Sequence, residues 1–398
     1  MSVLHSKKIL LAVSAGIAAY KAAFLVRGLI KKGAEVKVIM TPDAQHFVTP
    51  LTLSTLSKNP VEWEFFGEKG DWNNHVEYAL WADYMIVAPC TANTLSHMAD
   101  GTCDNLVLAT YLSAKCPVYF APAMDLDMYQ HPSTKENIQK LQTNGNILIP
   151  AESGELASGL VGEGRMAEPE NIIEFLEDSI ASSLPLYGKN ILISAGPTYE
   201  NIDPVRFIGN YSSGKMGFEL AKVASKLGAN VNLVSGPSHE NVNGYPINRI
   251  NVISARDMYD AMHKHFDDTD IVIMSAAVAD YRPKEVANQK IKKNDEDIVI
   301  ELIKNPDILK SLGEIKTKQL LVGFALETNN EEEFAKQKLE KKNLDFIVLN
   351  SLQDKDAGFQ KNTNKITIID KDLTKKTFEA KSKTEVAKDI LDVVINKI

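Results

Sequence analysis

The feature that most constrains the fold of this sequence is a short apolar strand followed by a glycine turn, a pattern that occurs twice. Residues 8–16 read KILLAVSAG and residues 190–196 read NILISAG. After each opening, short apolar runs rich in β-branched residues alternate with amphipathic stretches of helical length. This alternation is typical of βαβ units, and the low charge of the runs indicates strands buried on both faces of a parallel sheet. The chain is therefore predicted to form two doubly wound α/β domains.

A break near residue 186 separates the two predicted domains. IIEFLEDSIASS predicts a closing helix, and LPLYGK after it is marked by proline and glycine as an irregular connection. We therefore place the first domain at residues 1–186 and the second at residues 187–398.

Charge and composition exclude several classes of function. The 398 residues carry a net charge of −8, which disfavours a nucleic-acid coat or binding to an anionic membrane. No apolar run approaches the roughly 18 residues of a membrane span, and the N-terminal run is typical of a buried strand, not of a secretory signal. The three cysteines are thirteen residues apart and form no CxxC pair. We expect a cytoplasmic protein that binds neither nucleic acid nor membranes.

Four loops in the first half follow predicted strands: SAGIAAYK, PCTANT, PAMDLDMY and the glycine-rich ELASGLVGEGRMAEP. Open α/β sheets bind ligands at the carboxyl ends of their strands, and small residues before a helix let backbone N–H groups approach a phosphate. Alone, the first loop is equally typical of a plain tight turn, and the second of a helix capped by Thr91. A lone His75 is more often a cap or a surface residue than a catalytic group. The last loop suits a flap that closes on an anion.

In order and spacing, these segments resemble the flavin-containing cysteine decarboxylases. They are most similar to the decarboxylase half of the bifunctional phosphopantothenoylcysteine decarboxylase/phosphopantothenate–cysteine ligases of coenzyme A synthesis. The resemblance implies a flavodoxin-like domain that uses FMN to oxidise the substrate thiol, release CO₂ and return the electrons. It implies a catalytic His75, and it places Asp125 at a catalytic position in the loop over the substrate carboxylate. The further contacts that it implies are Ser14, Gly16, Thr41, Thr91 and Asn93 for FMN, and Met124 and Arg165 for the substrate.

Two positions depart from that family. The loop after PAM usually carries asparagine, and this chain has Asp125, which must be protonated, turned to another partner, or part of a variant with other contacts. The flap usually carries a cysteine that donates the last proton, and here the matching residue is Ser158. A hydroxyl is a far weaker acid than a thiol, so the final reduction needs another donor or does not occur.

The motif GNYSSGKMG in the second half partly matches a P-loop. Its glycines and Lys215 fit GxxxxGK, but Met216 stands where the Mg²⁺-binding Ser or Thr belongs. A phosphate-cradling loop of another kind is the better prediction, because Ser212, Ser213 and Gly214 lead into a helix. Further along, Asp280 follows a strand, and Lys290, Lys292 and Lys293 form a cationic run that suits either a polyphosphate or plain solvent exposure.

Segment by segment, the second half resembles the ligase half of the same bifunctional enzymes. DPVRFIGNYSSGKMG, AAVADYRP, KIKK, KNPDIL, VGFALET and KLEKKNLD all occur in the family's order. The resemblance implies a Rossmann-like domain in which 4′-phosphopantothenate attacks CTP, with Mg²⁺ or Mn²⁺, to give an acyl-cytidylate that cysteine converts to the amide. It implies that Asn210 aids the conversion, that Lys290 stabilises phosphate charge, and that the CTP site comprises Met274, Ser275, Ala276, Asp280, Lys290, Pro306, Asp307, Ile308, Leu309, Phe324, Lys338 and Lys342.

The resemblance also implies homo-oligomers, with decarboxylase trimers packed into a dodecamer, ligase dimers, and FMN bound between subunits. Lys338 and Lys342 are four residues apart, so on a helix they share one face and can both point at a triphosphate. One alternative is an active ligase whose N-terminal half is a degenerate FMN-binding scaffold, which Asp125 and Ser158 favour. Another is a flavin-dependent prenyltransferase or electron carrier fused to a nucleotide-binding module, which PAMDLDMY and the ligase motifs disfavour.

Overall fold

The computed structural model describes residues 2–67, 72–156, 159–293, 298–327, 331–351 and 363–398. The chain forms two compact units, residues 1–181 and 182–398, and each is described by itself. None of the described helices is long and apolar enough to cross a membrane.

The first unit is a six-stranded parallel sheet with helices on both faces. Its strands are β1 (Lys8–Val13), β2 (Glu35–Met40), β3 (Val61–Glu62), β4 (Tyr84–Cys90), β5 (Val118–Pro122) and β6 (Ile147–Leu148), followed by the hairpin β7 (Glu152–Glu155) and β8 (Val161–Arg165). Its helices are α1 (Lys21–Lys31), α2 (Pro50–Ser57), α3 (His75–Trp81), α4 (Ala92–Asp100), α5 (Leu106–Ser113), α6 (Leu126–Gln130), α7 (Pro132–Thr143) and α8 (Pro169–Ser182), with 3₁₀ turns at Ile17–Tyr20 and Pro42–His46.

The strand order of this sheet is β3-β2-β1-β4-β5-β6. Without the two-residue edge strand β3, it is the flavodoxin-like order, which reverses between β1 and β4. Along β1, Ile9 and Leu11 pack into one apolar core and Leu10 into the other. Because side chains alternate across a strand, a run that is apolar at every position must be covered on both faces. The predicted fold class is confirmed for this unit.

The second unit contains an eight-stranded sheet and three short hairpins or strand pairs. Its strands are β9 (Asn190–Ala195), β10 (Tyr199–Asn201), β11 (Phe207–Gly209), β12 (Asn230–Ser235), β13 (Ile247–Asn251), β14 (Ile271–Met274), β15 (Tyr281–Pro283), β16 (Leu302–Lys304), β17 (Leu320–Glu327), β18 (Phe346–Ser351), β19 (Thr363–Asn364), β20 (Ile366–Asp370), β21 (Lys375–Thr377) and β22 (Lys381–Ser382). Its helices are α9 (Lys215–Lys226), α10 (Ala255–Lys264), α11 (Ile308–Ile315), α12 (Glu331–Lys341) and α13 (Lys383–Ile395).

The order of the large sheet is β13-β12-β9-β14-β17-β18-β20-β21, and it is parallel up to β18. The first six of these strands follow the Rossmann order, which reverses between β9 and β14. Ile191 and Ile193 face one core and Leu192 faces the other, so this sheet is also covered on both faces. In both units, the carboxyl ends of the central strands are therefore the edge at which a ligand is expected.

Candidate functional site

A cavity of about 710 Å³ lies at the carboxyl ends of β1, β4 and β5 in the first unit. Its volume is in the range of small-molecule and cofactor sites. Its walls come from the loops after these three strands and from the flap hairpin β7–β8, and they comprise Ala15, Gly16, Ile17, Ala18, Tyr20, Lys21, Thr91, Ala92, Asn93, Ala123, Met124, Asp125, Met128, Glu155, Leu156, Gly164, Arg165 and Met166. Of the residues predicted for this half, Gly16, Thr91, Asn93, Met124, Asp125 and Arg165 meet here.

Ser14 joins the loops after β1 and β4. Its hydroxyl donates to the carbonyl oxygen of Pro89 at 2.7 Å and accepts the N–H of Thr91 at 3.0 Å. Its side chain is fully buried, and these two bonds fasten the two loops to each other. A Cβ atom on Gly16 would lie 3.0 Å from the Thr91 methyl group, which explains the small residue at this crossing of the two loops.

The flap hairpin is fastened to the loop after β5 through the backbone. The N–H of Met124 donates to the carbonyl oxygen of Gly164 at 3.0 Å. Gly164 has φ +135°, and a Cβ atom there would lie 2.6 Å from the Met124 carbonyl oxygen. Only glycine permits both this conformation and this approach.

Asp125 is turned partly towards its own helix. One carboxylate oxygen accepts the N–H of Leu126 at 2.6 Å and caps α6. A carboxylate in this role is a common helix cap, and it is favoured at the positive end of a helix. The position therefore has a structural partner in addition to its place in the cavity wall.

A buried cation reinforces the flap side of the cavity. The Lys21 side chain is 4% exposed, and its ammonium donates to the Met166 carbonyl oxygen at 2.8 Å and to Glu168 at 3.0 Å. The Arg165 guanidinium also binds Glu168, at 2.5 Å. Burial alone would raise the pKa of Glu168, but Lys21 and Arg165 outweigh it and the pKa is lowered. Glu168 thus stays ionised and holds Arg165 at the cavity.

Three predicted residues lie outside the lining of this cavity in the single chain: the buried Ser14, and also His75 and Thr41. His75 begins α3, packs edge-on against Phe65 and Trp72 with ring centroids 6.4 and 5.9 Å away, and its buried Nδ1 has no hydrogen-bond partner among the described residues. Thr41 follows β2, and its buried Oγ1 likewise has no partner in the described part of the chain. Ser158 lies outside the described residues.

A second cavity, of about 150 Å³, lies at the carboxyl ends of β9, β14, β17 and β18 in the second unit. It is lined by Ser212, Ser213, Gly214, Lys215, Met216, Ser275, Ala276, Ala277, Phe324, Ala325, Asn350, Asn364 and Lys383. The predicted residues Ser275, Ala276 and Phe324 meet here with the loop that precedes α9. The Oδ1 atom of Asn350 is buried and has no partner among the described residues.

The loop before α9 is shaped by one close backbone contact. Gly214 has φ +82°, and a Cβ atom there would lie 2.9 Å from the backbone of Gly196, in the turn after β9. A glycine at this position lets the start of α9 reach the sheet edge, where the first N–H groups of a helix favour anions.

A run of hydrogen bonds links this cavity to the other predicted residues of the second unit. The Asn210 amide donates to the Ala277 carbonyl oxygen at 3.0 Å. Asn305 follows β16, and its N–H donates to the Asp280 carbonyl oxygen at 2.8 Å. Asp307 caps α11 and pairs with Lys342 at 2.9 Å. Pro306, Asp307 and Lys342 are thus joined to the loop after β14 through Asn305.

The remaining predicted residues divide by their burial. Met274 and Ile308 are buried in one core of the second unit, so their backbone is the part available to a ligand. Leu309 packs against the same core. The N–H of Lys342 donates to the Lys338 carbonyl oxygen at 3.0 Å, so one helical turn joins these two lysines, as their spacing predicts.

Lys290 is exposed, and a buried carboxylate fastens the loop that carries it. Asp203 is 1% exposed and accepts hydrogen bonds from the backbone of Val205, the guanidinium of Arg206 and the N–H of Ile291. Arg206 lowers the pKa of Asp203 well below its usual range. Ile291, the residue after Lys290, is therefore hydrogen-bonded directly to the Asp203–Arg206 ion pair.

Three of these side chains were missed by sequence reasoning: Lys21, Asp203 and Lys383. Lys21 stands within an otherwise small and apolar run, AAYKAAF, which could have indicated a buried cation. Asp203 and Arg206 are three residues apart in DPVR, a spacing that allows a local ion pair. We find no comparable signal for Lys383, because its contacts come from distant segments.

Each of the two units matches a known protein family. The flavoprotein family matches residues 2–181, and the family described as the DNA/pantothenate metabolism flavoprotein C-terminal domain matches residues 186–398. A cysteine/cysteine sulfinic acid decarboxylase from an unknown prokaryotic organism is 52% identical over 88% of this chain and 99% of its own length.

Two coenzyme A biosynthesis bifunctional proteins, both named CoaBC, match almost the whole chain. The protein of Bacillus subtilis is 46% identical over 98% of this chain and 97% of its own length. The protein of Haemophilus influenzae is 44% identical over 99% of this chain and 98% of its own length. The resemblance predicted from the sequence is confirmed: this chain belongs to the CoaBC family of bifunctional enzymes of coenzyme A biosynthesis, which combine a decarboxylase with a ligase.

Proposed function

We propose that the second unit joins 4′-phosphopantothenate to cysteine with CTP, and that the first unit decarboxylates the product to 4′-phosphopantetheine with FMN in the cytoplasm. The observation that carries the proposal is that each unit has its own cavity at a topological switch point, lined by residues predicted for its own reaction. The proposed domains, 1–186 and 187–398, follow from the sequence, and the compact units divide at residue 181.

The first cavity suits FMN in size and in polar groups. The loops around Gly16, Thr91 and Asn93 would hold it, and the unpartnered Oγ1 of Thr41 is a candidate hydrogen-bonding group. When bound, FMN would supply reversible two-electron redox chemistry. The chain's own residues would hold the substrate carboxylate near Met124 and Asp125. The Arg165 guanidinium would bind the phosphate or the carboxylate of the substrate.

His75 would act from the rim of a neighbouring subunit's cavity. This part of the proposal explains why its unpartnered ring nitrogen lies on α3 and outside the lining of its own cavity. Large apolar side chains are exposed in the first unit, among them Ile17 at 63%, Leu51 at 75% and Leu80 at 61%. Exposed apolar groups of this size are typical of oligomer interfaces, which fits the dodecamer that the resemblance implies.

In the proposed ligase reaction, a carboxylate oxygen of 4′-phosphopantothenate attacks the α-phosphorus of CTP, and pyrophosphate leaves. The cysteine amine then attacks the acyl carbon, and CMP leaves with the bond electrons. Lys290 would offset the charge that builds on the phosphate, and Asn210 would contact the acyl-cytidylate. Among the described residues no cluster of three His, Cys, Asp or Glu could hold a metal, so Mg²⁺ is expected to bind mainly through the triphosphate.

A mass assay of the purified protein with synthetic 4′-phosphopantothenoylcysteine, without CTP, tests the decarboxylase. A product lighter by CO₂ alone supports the full cycle despite Ser158. A product lighter by CO₂ and two further hydrogens is the stranded enethiol and places the defect at the flap. An unchanged substrate favours the degenerate-scaffold alternative. Ligation is measured separately with CTP, 4′-phosphopantothenate and cysteine.

A second candidate for the first unit is the decarboxylation of free cysteine or its sulfinic acid. It is favoured by the 52% identity to a protein named for that activity. The same mass assay, run with free cysteine in place of the conjugate, distinguishes the two. Turnover of cysteine with no turnover of the conjugate would replace the proposed substrate of the first unit and leave the ligase proposal untouched.

A further inference from the structure

Lys383 is a buried cation at the wall of the second cavity. It is the first residue of α13 and only 6% exposed, and it lines the cavity. The charge of Glu240 acts on its ammonium, but among the described residues no hydrogen bond or salt bridge to the ammonium is found. Charged groups of this burial are normally paired, because removing an ion from water is costly.

A second cation faces the same space. Lys215, the first residue of α9, also lines the cavity. Burial, reinforced by the charge of Lys215, lowers the pKa of Lys383, and the charge of Glu240 only partly offsets this. Two positive charges at one small cavity favour the binding of an anion between them.

The position of Lys383 is fixed by contacts on both sides. Thr384 donates its hydroxyl to Glu219 of α9 at 2.7 Å, which ties the first turn of α13 to α9. The strand pair β19–β22 brings Lys381 and Ser382 against Thr363 and Asn364, directly before the helix. The ammonium is therefore presented to the cavity by a rigid frame, and its entropy cost on binding is low.

We propose that Lys383, together with Lys215 and the start of α9, binds a phosphate group of a ligase substrate. The inference rests on the proposed ligase function and deepens it. The triphosphate of CTP is the favoured source, because Ser275, Ala276 and Phe324, predicted for CTP, line the same cavity. The phosphomonoester of 4′-phosphopantothenate offers the same chemistry and is the second source.

The test compares Lys383→Gln and Lys383→Arg with the matched control Lys388→Gln in the full-length protein. Lys388 is exposed on the same helix and does not line the cavity. For each variant, the KM for CTP and the KM for 4′-phosphopantothenate are measured in the ligation assay. Thermal unfolding with and without Mg²⁺–CTP is measured as well.

For Lys383→Gln we expect the KM for one of the two substrates to rise about ten- to hundred-fold, the effect of losing one charge-assisted hydrogen bond. A rise for CTP identifies the triphosphate, and a rise for 4′-phosphopantothenate identifies the phosphomonoester. Lys383→Arg retains part of the affinity, and Lys388→Gln behaves as wild type. The free Lys383→Gln protein should unfold at the same or a higher temperature, because a buried repulsion is removed.

The proposal is overturned if Lys383→Gln changes neither KM, or if it lowers the unfolding temperature while both KM values stay at wild-type values, the result of a purely structural role. A failure of the ligase proposal itself is distinct from this. In that case, the wild-type protein forms no amide from CTP, 4′-phosphopantothenate and cysteine.

Discussion

Replacing Gly164 with alanine should loosen the flap over the first cavity. The φ of +135° is strained for any L residue, by about 1–3 kcal/mol, and the added Cβ would lie 2.6 Å from the Met124 carbonyl oxygen. The hairpin can relieve the contact only by moving away, which also loses the bond from the Met124 N–H, about 1 kcal/mol. The closed flap is thus disfavoured by about 2–4 kcal/mol, or about thirty- to a thousand-fold.

The assay is kcat/KM for decarboxylation, measured beside ligation in the same preparation. Because Glu155, Leu156 and Arg165 of the flap line the cavity, decarboxylation should fall by this factor while ligation stays unchanged. Gly159→Ala is the matched control: its φ is +86°, and within the described part of the chain no atom lies within 4 Å of the added Cβ. The Gly159→Ala variant would have only the backbone strain of a positive φ, about 1–2 kcal/mol, and no steric contact like that with Met124. Equal losses in the two variants would refute the role of the Met124 contact.

Three further predictions concern single side chains. Lys290→Gln should abolish ligation and leave decarboxylation intact, and a loss of both activities in the two assays would contradict two independent sites. His75→Asn should do the reverse, and in a mixture with Lys290→Gln chains each variant should retain the activity that the other lacks. Arg206 lowers the pKa of Asp203, so the stability that Asp203 confers is complete above its unfolded pKa of about 3.9 and is lost as the pH falls below that value. The unfolding midpoint of the wild type should therefore exceed that of Asp203→Asn by a constant margin from pH 5 upwards, with the margin narrowing below pH 4.

The two sheets could be predicted from the sequence because their signal is local. Consecutive apolar residues form the middle of both opening strands, Ile9–Val13 in β1 and Ile191–Ile193 in β9, and the glycine turn after each strand is explicit in the chain. Gly16, Thr91 and Asn93 come together because they follow adjacent parallel strands, so strand order alone brings them close.

The cavity walls that sequence reasoning missed come from long-range contacts. Lys383 and Lys215 are separated by well over a hundred residues, and their meeting depends on how α13 packs on α9. The bond from the Ile291 N–H to Asp203 has the same character, because nothing in either segment indicates that the two residues meet. Spacing patterns report neighbours along one helix or strand, and they carry no information on such pairs.

The dependence of the second cavity on Lys383 also sets an order of events during synthesis. The first cavity is complete once the chain has passed Met166, whereas the second needs a residue about 200 positions later. At about 5–20 residues per second, this gap lasts about 10–40 seconds. The first unit has all the segments of its fold once α8 ends at Ser182. In the proposed oligomer, the first units of nascent chains on neighbouring ribosomes therefore have time to associate before the second unit is complete.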